Sequence, residues 1–483
     1  MTDTSTIHAS STSAIDKRRA MLILGICCLS LFIVGIDSTG VNLALPSIRR
    51  DLGTSASQLQ WVVDAYTLVL ASLLMLSGSI GDRIGRRRVF QVGLVIFGSG
   101  SVLCSLSQSP GMLIGARMLQ AIGGSMLNPV AMSIITNTFR DPKARAQAIG
   151  IWGGVIGLSM ALGPVIGGAL VDAVSWRAIF WINVPVVIAA VILTAFFVPE
   201  SRAEHTRRLD PPAQILVMIL LATVTYGIIE GRSLGWTSAT VIGLFAAAVL
   251  SAVAMVLVER RRKEPLLDPR FFRSVPFSGA VVSAVIGFCA MAGFLFLNTL
   301  YLQDVRGYTP FHAGLMTLPM AVATAVFAPV SGRIVGSRGP RLPMLIAGVG
   351  ISVSALMLMQ LTGSTSPWLL GLAYLAFGIG FGMLNAPITN AAVSGMPRSQ
   401  AGVAAAIAST SRQVGSSLGV AVLPAVAFAG LDGPLNTALP AATHAAWAMM
   451  LGCGLGLLVM AFLVTSSFAT RSRDKVAAEL GAS

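Results

Sequence analysis

The stretch GSIGDRIG, residues 78–85, closes one long apolar run, and a related stretch, GRIVGSRG, closes another at residues 332–339. A second echo lies nearby in each half, where MLNP contains Asn128 and MLNAP contains Asn385. Either similarity alone could arise by chance, but the two offsets agree within three residues. Their agreement indicates that a set of helices is duplicated along the chain.

Around these stretches the chain is unusually apolar. Of its 483 residues, 55% are hydrophobic and 11% are charged, whereas a soluble domain carries about 25% charged residues. Fourteen apolar runs are long enough to cross a bilayer as helices. They cover residues 21–45, 60–80, 89–107, 111–136, 147–171, 178–198, 212–231, 237–258, 277–301, 311–332, 342–361, 367–393, 402–428 and 443–467. The sequence therefore predicts an all-α polytopic membrane protein with 14 transmembrane helices.

The distribution of charge predicts the orientation of these spans. An even number of spans puts both termini on one side, and most of the 33 Lys and Arg residues fall in segments on that side. Because basic loops remain in the cytoplasm, both termini are predicted to be cytoplasmic. The net charge of +14 is then a topological signal, and nucleic acid is not an expected partner.

The duplication also predicts how the spans are grouped. Aligning the two echoes matches span two with span ten and span four with span twelve, which leaves spans seven and eight as an insertion. The predicted plan is two six-helix bundles with two inserted helices between them. Its parts are a cytoplasmic tail at 1–20, an N-terminal bundle at 21–198, an inserted pair with its linkers at 199–276, a C-terminal bundle at 277–467 and a second tail at 468–483.

Three motifs resemble those of one transporter family. GSIGDRIGRRR, residues 78–88, resembles the loop between the second and third helices of the major facilitator superfamily. GVIGLSMALGPVIGG, residues 154–168, resembles the fifth-helix motif of its antiporters, and GIDSTGVNLALP, residues 35–46, is similar to the first-helix motif of its fourteen-helix drug/proton antiporters. The resemblance implies the major facilitator fold and proton-coupled drug export. The chain departs from the family pattern at Ala121, where Gly is usual, and its late spans lack the acidic residue found in some relatives that handle dicationic compounds.

Three of the charged residues inside the predicted spans, Asp37, Asp64 and Arg117, lie in the outer half of the membrane. At about 1.5 Å of rise per residue, Asp37 is about 12 Å, Arg117 about 9 Å and Asp64 about 6 Å below the outer ends of their helices. Because a lone charge in hydrocarbon is costly, Asp37 and Arg117 are predicted to pair. A pair that weakens as the protein changes conformation could couple proton movement to export, and a static pair that joins two helices is the alternative. For Asp64 the alternatives are contact with protons or substrate, and snorkelling to the headgroups.

Two glycine-rich segments are predicted to serve conformational change. The first is a latch between the halves at the cytoplasmic face, formed by Gly78, Asp82, Arg83, Gly85 and Arg86, in which Asp82 caps a helix of the opposite half. A basic loop that only sets topology is the alternative for this segment. The second is a thin, kinked face of the fifth span that allows close helix packing, and only the resemblance assigns it to exporters. Its residues are Gly157, Gly163, Pro164, Gly167 and Gly168.

Polar and aromatic residues of the spans are candidate substrate contacts, with packing between helices as the alternative. They are Trp61, Tyr66, Gln120, Asn128, Phe294, Asn298, Tyr301, Asn385, Arg412 and Gln413. Arg412 could orient an anionic group of a substrate or pair with carbonyl oxygens. The sequence has neither a metal-binding Cys/His pattern nor a Walker loop, so neither a metal nor another cofactor is expected and the energy source is the proton gradient.

The sequence and the resemblance together predict a proton-coupled exporter of amphipathic drugs or antibiotics, cations among them, in a bacterial cytoplasmic membrane. The expected partners are the small-molecule substrate, protons and the lipid bilayer, and the protein is expected to be monomeric. Export of an endogenous lipid, siderophore or metabolite on the same scaffold is the alternative, because a fold does not fix its cargo. A membrane enzyme or a channel is disfavoured, since the sequence has no clustered catalytic residues and no evident pore helix.

Overall fold

The computed structural model describes residues 17–139, 141–202, 211–260, 269–394, 401–431 and 433–481. Within these ranges the chain is helical and forms no strand. Thirteen helical segments in them are long and apolar enough to cross a membrane. The remaining predicted span is the 32-residue helix Pro142–Ala173, whose end Leu162–Ala173 is apolar. The predicted all-helical, multi-pass fold class is confirmed.

Seven helices form a first bundle, called the N bundle. They are α1 (Lys17–Leu52), α2 (Ala56–Ile84), α3 (Arg86–Ser105), α4 (Pro110–Thr138), α5 (Pro142–Ala173), α6 (Ala178–Trp181) and α7 (Asn183–Phe197). Local sequence sets their ends: Ser55 and Gln58 form a reciprocal capping box at the start of α2. Gly85, with φ at 127°, turns the chain from α2 into α3, a backbone conformation that favours glycine.

The inserted pair and the second bundle follow. The inserted helices are α8 (Pro211–Leu234) and α9 (Ala239–Arg260). The second, called the C bundle, consists of α10 (Val275–Leu300) with its π-helical continuation Tyr301–Val305, α11 (Pro310–Met316), α12 (Leu318–Arg338), α13 (Arg341–Leu358), α14 (Pro367–Val393), α15 (Ala401–Ala429), α16 (Leu435–Ala442) and α17 (His444–Val464). A 3₁₀ turn, Pro269–Arg273, precedes this bundle, and α18 (Ser467–Gly481) follows it.

The helices extend beyond the predicted spans at several points. α1 continues past Pro46, where the apolar run ends, and its last turn carries Arg49, which pairs with Asp304 of the C bundle. The predicted tail at 468–483 contains α18, which is anchored because the backbone N–H of Val275 donates to Ser472 Oγ at 3.0 Å. Hydropathy finds the apolar core of a helix and misses polar turns that are stabilised by tertiary contacts.

Glycines let helices approach closely within each bundle. A Cβ on Gly167 of α5 would lie 2.8 Å from the Cα of Gly40 in α1. In the C bundle, a Cβ on Gly415 of α15 would lie 2.8 Å from the Cα of Val285 in α10. Close backbone approach of this kind drives helix packing in lipid, where the hydrophobic effect between helices is absent.

The two bundles meet at one end of the molecule, called the closed end, where α1 ends and α2 begins. Arg49 pairs there with Asp304 at 2.8 Å, and Gln60 Nε2 donates to the carbonyl of Val420 at 3.0 Å. Further hydrogen bonds join Gln303 to Leu43 and Phe311 to Asp172. All hydrogen bonds seen between described residues of the two bundles lie in this half of the molecule. The opposite end, where α1 begins, is called the open end.

The inserted helix α8 lies against both bundles at their seam. Gln214 donates to a carbonyl of α2, and Arg232 donates to the carbonyl of Phe428 in α15. Between these contacts, the hydroxyl oxygens of Thr225 in α8 and Ser417 in α15 are 3.4 Å apart. The inserted pair is therefore attached to both bundles.

Candidate functional site

Asp37 lies at the centre of a polar network inside the N bundle and has no solvent exposure. Its Oδ2 accepts a hydrogen bond from Arg117 Nη1 at 2.5 Å, so the predicted pair is present. Its Oδ1 accepts from Gln120 Nε2 at 2.9 Å and from Asn183 Nδ2 at 3.2 Å. The same two amides donate to Ser101 Oγ. Donors from α4 and α7 thus satisfy a carboxylate that α1 carries into the bundle interior.

The Arg117 guanidinium is held on several sides. Besides the bond to Asp37, Nη1 donates to Gln120 Oε1 at 2.7 Å, and Nε donates to the carbonyl of Val62 in α2 at 3.2 Å. Its Cζ lies 4.1 Å from the centre of the Tyr66 ring, a cation–π contact. Removing one partner of a buried ion pair typically costs about 3–5 kcal/mol, so the network makes the positions of α1, α2 and α4 depend on one another.

The sequence alone did not point to Asn183 and Ser101. Each is a single polar residue in an apolar span, and nothing in the spacing of either indicates which neighbour it faces. Gln120 carried a usable signal, because it lies three residues after Arg117 and therefore on the same face of α4. Predicted as a substrate contact, Gln120 instead belongs to the buried network and has no exposed surface.

Asp64 lies on the other side of α2, at the seam with α15. Its side chain is fully buried, and its Oδ1 accepts from Thr67 Oγ1 at 2.8 Å. Ser417 of α15 lies beside the carboxylate, whose Oδ2 accepts no hydrogen bond from the described residues. Snorkelling to the headgroups is excluded in this conformation, because no part of the side chain reaches solvent.

Three predicted substrate contacts of the C bundle are packing residues. Phe294 stacks on Phe377 with ring centres 4.3 Å apart. Asn298 accepts from the Tyr374 hydroxyl at 2.9 Å, and the Tyr301 hydroxyl donates to a carbonyl after α13 at 2.7 Å. All three predicted residues are buried. In this conformation they take the packing alternative, and their role as substrate contacts stays a prediction.

Two N-bundle candidates are also engaged by other helices. Tyr66 is buried, with its ring on Arg117. Trp61 Nε1 donates to Glu230 Oε1 of α8 at 2.9 Å, and its ring lies 5.6 Å from that of Tyr226. Trp61 therefore belongs to the contact with the inserted pair.

Four candidates keep partly exposed side chains within the helical bundles. They are Asn128 of α4, Asn385 of α14, and Arg412 and Gln413 of α15. The Arg412 guanidinium donates to Ser409 Oγ at 2.8 Å and to Thr389 Oγ1 of α14 at 3.4 Å. These residues combine a polar side chain with access to solvent, which a substrate contact requires.

The predicted latch has a different set of partners in this conformation. Asp82 Oδ1 accepts from the guanidinium of Arg86, with Nη2 at 2.9 Å, and no hydrogen bond joins it to a described residue of the C bundle. Glu200, just after α7, accepts from the backbone N–H of Arg87 at 3.1 Å and fills the space beside Gly85. The loop is therefore attached to its own bundle, and its role as a latch stays a prediction.

The glycine face of α5 makes two kinds of contact. Gly163 and Gly167 pack against Thr39 and Gly40 of α1, within the N bundle. Gly168 instead faces the start of α11, where its Cβ would lie 2.8 Å from the carbonyl carbon of Pro310. In return, a Cβ on Gly314 of α11 would lie 2.6 Å from the carbonyl oxygen of Pro164. The surroundings of Gly157 lie outside the described residues.

Comparison with known proteins identifies the family to which this helical arrangement belongs. A family model described as Major Facilitator Superfamily matches residues 27–420. The chain belongs to the major facilitator superfamily. This assignment makes it a member of a family of transporters rather than of enzymes.

Similar superfamily members are named as resistance and export proteins. The chain is 35% identical to the multidrug resistance protein Stp of Mycobacterium tuberculosis, over 87% of this chain and 78% of the relative. It is 36% identical to a tetracenomycin C resistance and export protein of Streptomyces glaucescens, over 81% of this chain and 73% of the relative. It is 31% identical to the multidrug efflux pump LfrA of Mycolicibacterium smegmatis, over 86% and 82%.

Solved structures share the fold of this superfamily member. A bacterial homologue of the human lysosomal transporter Spinster, in an inward-facing and unoccupied conformation, matches with a TM-score of 0.63 at 19% identity, over 96% of this chain and 98% of the other. A peptide transporter in complex with sulfate matches with a TM-score of 0.67 at 14% identity, over 94% and 95%. At these identities the likeness shows a common fold alone.

Proposed function

We propose that this superfamily member is a proton-coupled exporter that moves amphipathic drugs or antibiotics out of the cell by alternating access. It is proposed to act as a monomer in a bacterial cytoplasmic membrane, with both termini in the cytoplasm and the proton gradient as its energy source. Relatives named for multidrug resistance, tetracenomycin C export and multidrug efflux support the class of cargo.

The observation that carries proton coupling is the connection of the Asp37 network to α2. Arg117 binds Asp37 of α1 and the Val62 carbonyl of α2 at the same time. Protonation of Asp37 would neutralise the carboxylate and weaken its charge-assisted bond with Arg117. Along α2, Val62 lies between Gln60 and Asp64. Gln60 donates to the Val420 carbonyl of α15, and the Asp64 carboxylate lies beside Ser417 of α15. A change in the Asp37 pair is thereby transmitted along one helix to the seam between the bundles.

The arrangement of the bundles supports alternating access. The hydrogen bonds between described residues of the two bundles lie toward the closed end. If the open end is cytoplasmic, as the basic loops predict, the present conformation receives substrate from the cytoplasm. Opening of the closed end would break contacts at Arg49 and Gln60, and proton entry would supply the energy for the return.

The test is export in inverted vesicles, comparing native protein with Asp37→Asn. Gradient-driven accumulation of a fluorescent amphipathic dye should fall by about tenfold or more in Asp37→Asn, because the variant cannot exchange a proton at this position and loses a charge-assisted bond. A gradient collapser should abolish accumulation by the native protein. Dye binding by the purified variant should persist, because Asp37 does not contact the cavity.

Asp51→Asn serves as the matched control. Asp51 is also a carboxylate of α1, but it lies at the closed end, where it accepts from Trp176 and Arg177. The control should retain gradient-driven export. Export that survives both the collapser and the Asp37→Asn substitution would contradict proton coupling through Asp37.

A further inference from the structure

Arg412 occupies the face of α15 that is turned away from that helix's packing contacts. One side of α15 packs on α10 through Gly415 and Gly419. Another contacts α2 and α8 through Ser417 and through the Val420 carbonyl. Ser409, Arg412, Gln413 and Ser416 remain partly exposed. These polar residues therefore lie on a part of the α15 surface that the neighbouring helices leave partly uncovered.

Along α15, Arg412 lies on the open-end side of the contact that joins the two bundles. Arg412 precedes Val420 by eight residues, so it lies about 12 Å further toward the open end along α15. Val420 accepts a hydrogen bond from Gln60 of the N bundle, which marks the level at which the bundles are joined. The guanidinium thus lies on the open-end side of the hydrogen bonds that join the two bundles.

The positive charge of Arg412 has no anionic partner among the residues that the structure describes. Its two hydrogen bonds go to the neutral hydroxyls of Ser409 and Thr389. No carboxylate of the described residues forms an ion pair with it, and helices α10 to α17 contain no Asp or Glu outside the π-helical segment. The acidic residue of that segment, Asp304, pairs with Arg49 at the closed end.

The other carboxylates of the described spans form no hydrogen bond or ion pair with Arg412 and have surroundings of their own. Asp37 pairs with Arg117, and both are fully buried. Asp64 has no exposed surface. Glu230 accepts from Trp61 at the outer side of the seam. Among the four partly exposed candidates Asn128, Asn385, Arg412 and Gln413, the charge is carried by Arg412.

From this arrangement we infer that the bundles enclose a cavity on the open-end side of their contact, that this cavity selects amphipathic organic anions, and that Arg412 binds their anionic group. The inference rests on the proposed export function and specifies its substrate class. A guanidinium with five N–H donors binds a carboxylate, sulfonate or phenolate directly, and two hydroxyl partners leave donors available. The same charge repels a cation in a low-dielectric cavity, which disfavours the cationic drugs that the family resemblance suggests. Asn128, Asn385 and Gln413 add neutral polar contacts for the rest of the molecule.

The test uses fluorescein and rhodamine 6G, two xanthene dyes of opposite charge. Binding is measured by fluorescence polarisation with purified protein, and transport is measured in inverted vesicles. The native protein should bind and transport fluorescein in preference to rhodamine 6G. Arg412→Gln should weaken fluorescein binding by about tenfold or more, with rhodamine 6G binding unchanged or stronger. Arg412→Lys should retain most of the fluorescein binding, because it keeps the charge.

Thr389→Val is the matched control, since it removes a hydroxyl beside Arg412 and keeps the charge. It should preserve the preference for fluorescein. An equal loss of both dyes in Arg412→Gln, with the native melting temperature retained, would overturn the inference. Native transport of rhodamine 6G without fluorescein would overturn the anion preference and leave export intact, whereas transport of neither dye would contradict the proposed export function as well.

Discussion

At the scale of single residues, two arginines inside the membrane-spanning helices have different surroundings. Arg117 faces a carboxylate, the amide of Gln120, a backbone carbonyl and an aromatic ring. Arg412 has two hydroxyl partners and remains partly exposed. The first arrangement suits a group that must stay inside the protein, and the second suits a group that exchanges water for a ligand.

Asn183 tests whether the Asp37 network has a role beyond stability. Asn183→Ala removes one donor from Asp37 and one from Ser101, which should cost about 1–3 kcal/mol. It should also lower gradient-driven export several-fold, because the carboxylate loses a partner that fixes its position. Thermal unfolding in detergent and export in inverted vesicles measure the two effects.

Asn298→Ala is a control of equal chemistry in the C bundle. Asn298 is also buried and also makes two side-chain hydrogen bonds, to Phe294 and Tyr374. It should lower stability to a similar extent with little effect on export per folded molecule. Equal losses of export in both variants would show that the network is only structural.

At the scale of helices, the sequence predicts where the membrane-spanning helices lie better than it predicts which side chains contact each other between them. Hydropathy and the positions of Lys and Arg suffice for the helical plan, because a helix in lipid must satisfy its own backbone. Side-chain roles depend on helix rotation, which a uniformly apolar helix does not encode. Phe294 and Asn385 both lie in apolar spans, yet one is a core residue and the other is partly exposed. Asp37 and Arg117 were predictable as a pair, because charge in hydrocarbon admits few solutions.

Gly167 tests the close contact between α1 and α5. In Gly167→Ala the new Cβ would meet backbone atoms of Gly40, at 2.8 Å from Cα and 2.9 Å from the carbonyl oxygen. Backbone yields less readily than a side chain, so we expect destabilisation of about 1–3 kcal/mol. A lower melting temperature in detergent would reveal it.

Gly115→Ala is the matched substitution on α4. A Cβ at this position meets no atom within 4 Å. Alanine is favoured over glycine in a helix by about 0.5–1 kcal/mol, so this variant should be as stable as the native protein or more stable. If the two variants melt at the same temperature, glycine at 167 is not required for packing.

At the scale of the whole molecule, the contacts between the two bundles also involve helices that pack within one bundle or belong to the inserted pair. α5 packs against α1 within its own bundle and against α11 across the boundary, on adjacent glycines. α8 contacts α2 and α15 together, so any separation of these two helices must break contacts with α8 as well. The closed end is therefore held by three sets of contacts: α5 with α11, α2 with α15 and α8, and α1 with the π-helical segment Tyr301–Val305.

Gly168 offers a way to loosen one seam alone. In Gly168→Ala the new Cβ would lie 2.8 Å from the carbonyl carbon of Pro310 and 3.0 Å from the Cα of Phe311, both on α11. Relief of this overlap requires α5 and α11 to separate, so the closed end should open more often. Hydrogen–deuterium exchange should then be faster over α11 (Pro310–Met316) than in the native protein. Gly167→Ala, one residue away, strains only the N bundle and should leave exchange over α11 unchanged. Equal exchange over α11 in native protein and Gly168→Ala would show that this glycine contact does not hold the bundles together, and that the other contacts at the closed end do.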